Sequence, residues 1–167
     1  MIQSLVSTDH IRNLLKQVKD PEVPVLDIEE LGVLRNVHYE NDKLIIEITP
    51  TYNGCPALNT IREDIQNTMK NAGFTDFRIS VVLSPAWTTD WLTREAKQKL
   101  QQYGIAPPSH SSSEVNHFSS AGKLQPVTCP YCHSKNTLLK SAFGSTACKA
   151  LHFCNECRQP FEEFKCH

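Results

Sequence analysis

Seven cysteines carry most of the chemistry available to this chain, and six of them fall within the last forty positions. Cys129-Pro130-Tyr131-Cys132 and Cys154-Asn155-Glu156-Cys157 are two C-x-x-C knuckles with twenty-one residues between them, room for a β-hairpin. Four thiolates at this spacing make a tetrahedral cage that suits zinc; the same set can hold a single iron or an iron–sulfur cluster. A closed cage leaves no open coordination position, so the motif speaks for structure rather than turnover. Cys148 is a possible additional thiol, because the Lys149 charge favours its thiolate if the two approach. Cys148 and Cys166 are otherwise structural, or substitutes for a knuckle ligand.

The seventh cysteine, Cys55, stands apart in the stretch TPTYNGCP at Thr49–Pro56. An apolar strand leads into it, Asn53-Gly54 turns the chain, and Pro56 opens a helical pattern of Leu58, Ile61, Ile65 and Met69 closed by Gly73. Cys55 is therefore expected at a helix N-terminus, where N–H groups and the helix dipole lower a thiol's pKa toward the metal-binding thiolate. The competing reading is a buried cysteine that fills a turn. Asp20 and Glu22 form a carboxylate pair able to attract a cation, or else cap and solvate a turn. His38, His110 and His117 read as ordinary or solvated.

These residues need elements to hold them. Ile11, Leu14, Leu15 and Val18 repeat at helical spacing after a cap at Ser7, Thr8 or Asp9, and Asp20-Pro21 stops that helix. DPEVPVLDIEELG reads as a loop with a short turn. LGVLRNVHY and KLIIEIT flank Asn41-Asp42 as a hairpin, and FRISVVL is a third strand. Trp87 and Trp91, four apart, read as core or a lid over it. A third helix runs from a Thr93 cap, with Ala96, Leu100 and Tyr103 on one face and Gly104 at its end. The expected class is α+β: a helix/hairpin/helix/strand/helix domain over 1–104, then an antiparallel ribbon over 128–167. Between them, 105–127 is rich in Ser and Pro and reads as a flexible linker. In the tail, strands surround Phe143-Gly144-Ser145, PFEEFKC adds another, and bound metal supplies the stability that so small a core lacks.

Composition narrows the function. The chain has 167 residues, 40% hydrophobic and 21% charged, with a formal net charge of −1, as in a soluble globular protein. Neither this balance nor a tail with five Lys/Arg against three Asp/Glu and no interleaved aromatics predicts a nucleic-acid partner. No apolar run approaches the roughly 20 residues of a membrane span, and the first twenty residues lack a secretory leader. An odd number of cysteines without export features predicts metal or redox chemistry in the cytoplasm rather than a disulfide framework.

DPEVP, Leu31-Gly32 and TPTYNGCP, in that order, resemble the iron–sulfur assembly family long catalogued as a domain of unknown function, over about residues 10 to 105. SPAWTTDWLT at Ser84–Thr93, the knuckle pair, and FGSTACKALHFCNECRQPFEEFKC at Phe143–Cys166 resemble the D-subunit family of phenylacetyl-CoA epoxidase systems. The resemblance implies a non-catalytic accessory factor of aerobic phenylacetate degradation that matures or repairs the iron–sulfur centre of the reductase component. The oxygenase component is the second implied partner, and a stably bound structural or electron-transfer subunit is the alternative role. Cys55 matches the family's reactive cysteine, Asp20 and Glu22 its acidic segment, and Cys129, Cys132, Cys154 and Cys157 its metal ligands. The implied cofactors are structural zinc and a transient iron or iron–sulfur cluster, with a homodimer sharing Cys55 as a possible assembly. His133 stands where a glycine commonly follows the first knuckle. No paired Glu-x-x-His helices and no dinucleotide-binding glycine fingerprint are present to make the chain itself an oxygenase or reductase.

Overall fold

The computed structural model describes residues 6–108 and 126–165. His110, His117, Cys166 and most of the expected linker lie outside the described residues. The chain divides into two compact units, Met1–Trp87 and Thr88–His167.

In the first unit, α1 spans Thr8–Leu15, and the Ser7 hydroxyl accepts from the His10 N–H. α1 ends at Lys16, earlier than Asp20-Pro21, yet Val18 beyond it is still buried. β1 (Leu34–Glu40) and β2 (Lys43–Ile48) form the expected antiparallel hairpin. Asn41 and Asp42 both take positive φ, 49° and 65°, as a two-residue turn matched to strand twist requires. α2 (Ala57–Asn71) then crosses over to β3 (Phe77–Val81), which pairs parallel to β2 and completes a sheet of order β1-β2-β3. A parallel neighbour requires such a crossover, and α2 supplies it. Its Ile61, Ile65 and Met69 are buried, as are Leu44, Ile46 and Ile48 on alternate positions of β2. Each such side chain is worth roughly 1.5–3 kcal/mol on burial. Trp87 is core, and its indole N–H donates to the Leu31 carbonyl at 2.9 Å.

The second unit opens with a 3-10 turn at Thr89–Trp91 and then α3 (Arg94–Tyr103), capped by the Thr93 hydroxyl on the Ala96 N–H. Trp87 and Trp91 thus serve different units rather than one helix face. Ala96 and Leu100 are buried as expected, whereas Tyr103, expected beside them, is 56% exposed at the helix end. Gly104 is left-handed (φ 89°) and sends the chain straight into β4 (Ile105–Ala106). β4 pairs parallel with β7 (Pro160–Phe164), while β5 (Thr137–Ser141), β6 (Lys149–Cys154) and β7 pair antiparallel in the order β4-β7-β6-β5. The third helix therefore belongs to the same unit as the ribbon. Ile105, Ala106 and Val127, placed in the linker by composition, are buried. A core of Ala106, Val127, Cys129, Cys154 and Phe161 holds the ribbon together. The fold is α+β, and among the described residues no helix is long and apolar enough to cross a membrane.

Candidate thiol loop and metal centre

Cys55 sits in the loop from the carboxyl end of β2 to the start of α2, the place in a β-α-β crossover where backbone N–H groups face a ligand. Gly54, at φ 80°, makes the turn that presents it. The thiol is half-buried. Loss of solvent pushes its pKa up, the Ala57 N–H pulls it down, and the Glu22 carboxylate pushes up again. Hydrogen bonds from the Thr51 and Tyr52 side chains pull down more weakly, and the net direction is upward. This corrects the expected lowering. The helix N-terminus does reach the sulfur, but desolvation outweighs it.

Glu22 is thus brought near Cys55, and Asp20 is what holds Glu22 in place. Asp20 is buried, and its Oδ1 accepts from the Glu22 and Val23 N–H groups, both at 2.8 Å. Asp27 repeats the device one turn later, its Oδ1 accepting from the Glu29 and Glu30 N–H groups. Asp20 also borders an open groove of about 470 Å³ whose wall includes Asp64, Asn67 and Asn71 of α2. Thr51 and Tyr52 were missed as site residues. They belong to the motif around Cys55, but side-chain approach across a turn leaves no periodic signal.

The four knuckle sulfurs converge. Those of Cys129, Cys132, Cys154 and Cys157 lie within 4.8 Å of one another, with Cys129–Cys157 at 3.7 Å and Cys132–Cys154 at 3.5 Å. Four sulfurs each about 2.3 Å from a central ion have tetrahedral edges of about 3.8 Å, so the quartet fits a zinc-sized cation. Both knuckles fold alike. The His133 N–H donates to the Cys129 carbonyl and the Arg158 N–H to that of Cys154, at 3.1 and 3.0 Å. The Cys129 N–H reaches the Ser134 carbonyl and the Cys154 N–H that of Gln159, both at 2.9 Å. His133 and Arg158 take left-handed φ, 59° and 61°, which is why a glycine suits this position. The Cys157 N–H helps bring Cys154 down to about 7, whereas loss of solvent drives Cys157 up to about 12. Four sulfurs this close cannot all carry charge without a cation to balance them.

α3 braces the first knuckle. Gln101 hydrogen-bonds His133 Nδ1 at 3.2 Å, and Tyr131 covers Gly104 so closely that an added Cβ would meet its hydroxyl at 2.9 Å. Neither contact was legible in the sequence. Cys129 and Cys154 are buried, Cys157 is half-buried and Cys132 is exposed.

Cys148 is not part of the quartet. It is buried just before β6, six residues and about 20 Å of strand from Cys154, with the Thr146 hydroxyl 3.1 Å from its sulfur. Lys149 is directed instead to Glu162 (3.4 Å) and the Ser145 hydroxyl (3.1 Å).

Residues 113–165 match the family described as PaaD zinc beta ribbon domain, and residues 8–81 match that described as iron-sulfur cluster assembly protein. Over 153 residues the chain is 47% identical to a protein of Escherichia coli K12 named for the D subunit of 1,2-phenylacetyl-CoA epoxidase, covering 92% of this chain and 89% of that protein. The chain belongs to this D-subunit family. Part of the chain has a wider kinship. A Bacillus subtilis protein named Fe-S protein maturation auxiliary factor YitW is 34% identical over 91 residues, 53% of this chain and 88% of that protein. The crystal structure of a domain of unknown function, DUF59, from Bacillus anthracis is 29% identical and superposes with a TM-score of 0.51, covering 56% of this chain and 90% of that one. This chain thus joins a stretch matching the iron-sulfur cluster assembly family to a four-cysteine ribbon.

Proposed function

We propose that this D-subunit-family chain is a non-catalytic accessory factor of a phenylacetyl-CoA epoxidase system. Its work is to build or repair the iron–sulfur centre of the reductase component in the cytoplasm. Cys55 holds iron or a cluster transiently as cargo, and the zinc-loaded ribbon of Cys129, Cys132, Cys154 and Cys157 recognises the client. The observation that carries this reading is the setting of Cys55, half-buried in the loop before α2 with the Ala57 N–H and the Thr51 and Tyr52 side chains at its sulfur. Cys55 lies within residues 8–81, the stretch that matches the iron-sulfur cluster assembly family, and this supports the reading.

The chemistry follows from the thiol's raised pKa. At neutral pH a proton competes with iron for the sulfur, so capture is reversible and reprotonation drives release. Glu22 adds negative charge that draws a cation toward the loop, and Asp20 fixes the turn that carries it. One thiolate is a poor site, so a second copy sharing its own Cys55 completes the coordination. The reductase is the client and the oxygenase the neighbouring component.

Cells relying on a Cys55→Ser variant should grow poorly on phenylacetate, and the reductase purified from them should be depleted in iron and labile sulfide. Normal growth with a fully loaded reductase would overturn the proposal.

A further inference from the structure

The four knuckle sulfurs are not equivalent. Cys129 and Cys154 are buried and Cys157 is half-buried, but Cys132 is exposed. Its flanking residues Tyr131 and His133 are exposed as well, so solvent reaches the knuckle from that side. Across the two knuckles Cys132 and Cys154 approach to 3.5 Å and Cys129 and Cys157 to 3.7 Å, in a quartet whose sulfurs all lie within 4.8 Å of one another.

We propose that Cys132 is an oxidation site at which hydrogen peroxide turns the metal-holding quartet into a Cys132–Cys154 disulfide. A peroxide must approach a sulfur lone pair from solvent, which the burial of Cys129 and Cys154 prevents. In the first step the Cys132 thiolate attacks one peroxide oxygen. An S–O bond forms, the O–O bond breaks and hydroxide leaves, so sulfur is oxidised by two electrons and the peroxide is reduced. In the second step the Cys154 thiolate attacks the Cys132 sulfenic sulfur, the S–S bond forms and a second hydroxide departs. The two sulfurs need only close from 3.5 Å to about 2.05 Å. α3 steadies the backbone meanwhile, through Gln101 on His133 and Gly104 under Tyr131.

Two of four donors are then lost, and Cys129 and Cys157 alone hold a divalent ion weakly. A dithiol reductant restores both thiols and the site. The site therefore reports oxidant level through its metal content, independently of anything Cys55 does.

The test uses the full chain loaded with zinc. Hydrogen peroxide is added, zinc release is followed with a chromophoric chelator, and cysteines are mapped by timed alkylation and non-reducing peptide mass spectrometry. The first product should be the Cys132–Cys154 crosslink, formed in step with zinc release and reversed by dithiothreitol. Cys132→Ser should remove the fast phase of peroxide consumption. A first disulfide within one knuckle, a first oxidation at Cys157, or zinc retained after Cys132 has reacted would each overturn the proposal. The wild-type mapping decides it even if the variant fails to fold.

Discussion

At Cys55 one sulfur feels opposing influences, and their balance can be measured. Desolvation and the Glu22 charge raise its pKa, while the Ala57 N–H and the Thr51 and Tyr52 side chains lower it. The reactive species is the thiolate, so a raised pKa delays its appearance to higher pH. Iodoacetamide labelling of Cys55 should reach half its maximal rate above the ordinary thiol value of about 8.5. Glu22→Gln removes one upward push and should move that midpoint toward neutrality. The thiol's place before a helix was legible in the sequence, because proline, glycine and apolar spacing are local signals. The sign of its pKa was not, because burial depends on what the fold lays over the loop. Trp87 makes the same point: its partner, the Leu31 carbonyl, lies far away along the chain. Trp87→Phe leaves that buried acceptor without its indole donor and should cost about 1–3 kcal/mol in chemical denaturation.

Among the elements, the turns carry sharp expectations. Asp42 holds φ 65° in the β1–β2 hairpin, a conformation that favours glycine. Asp42→Gly should stabilise the protein by about 0.5–1 kcal/mol, read as a higher denaturation midpoint. At the other sheet the 143–146 turn is pinned by Glu162, which accepts from the Ser145 N–H at 2.6 Å and pairs with the buried Lys149. Burial opposes the Glu162 ion, but Ser145 and Lys149 prevail and its pKa is lowered. A lowered carboxylate contributes stability above its unfolded value, about 4.3, and loses it as pH falls through the folded value. Melting of wild type should therefore fall more steeply than that of Glu162→Gln below about pH 4. The Thr93 cap and the Gly104 stop could be read from the residues alone, and the first cap was narrowed to Ser7, Thr8 or Asp9, of which Ser7 serves. β4 could not. Two residues carry no periodicity, and their partners on β7 come from a distant part of the chain.

For the molecule as a whole, two compact units imply two stabilities. The ribbon's core is small and leans on its metal, whereas the first unit buries a full apolar core of its own. Chelation should lower the melting of the second unit by tens of degrees and leave the first within about two degrees, seen as two calorimetric transitions. Zinc analysis of protein purified without added metal should give about one ion per chain. One further consequence concerns birth on the ribosome. β7 is an inner strand, flanked by β4 and β6, yet it is translated after both. While the nascent polypeptide elongates, the first unit can already have closed around its thiol loop. The second sheet must wait until residue 164 has emerged, holding Ile105 and Ala106 in reserve for a neighbour not yet made.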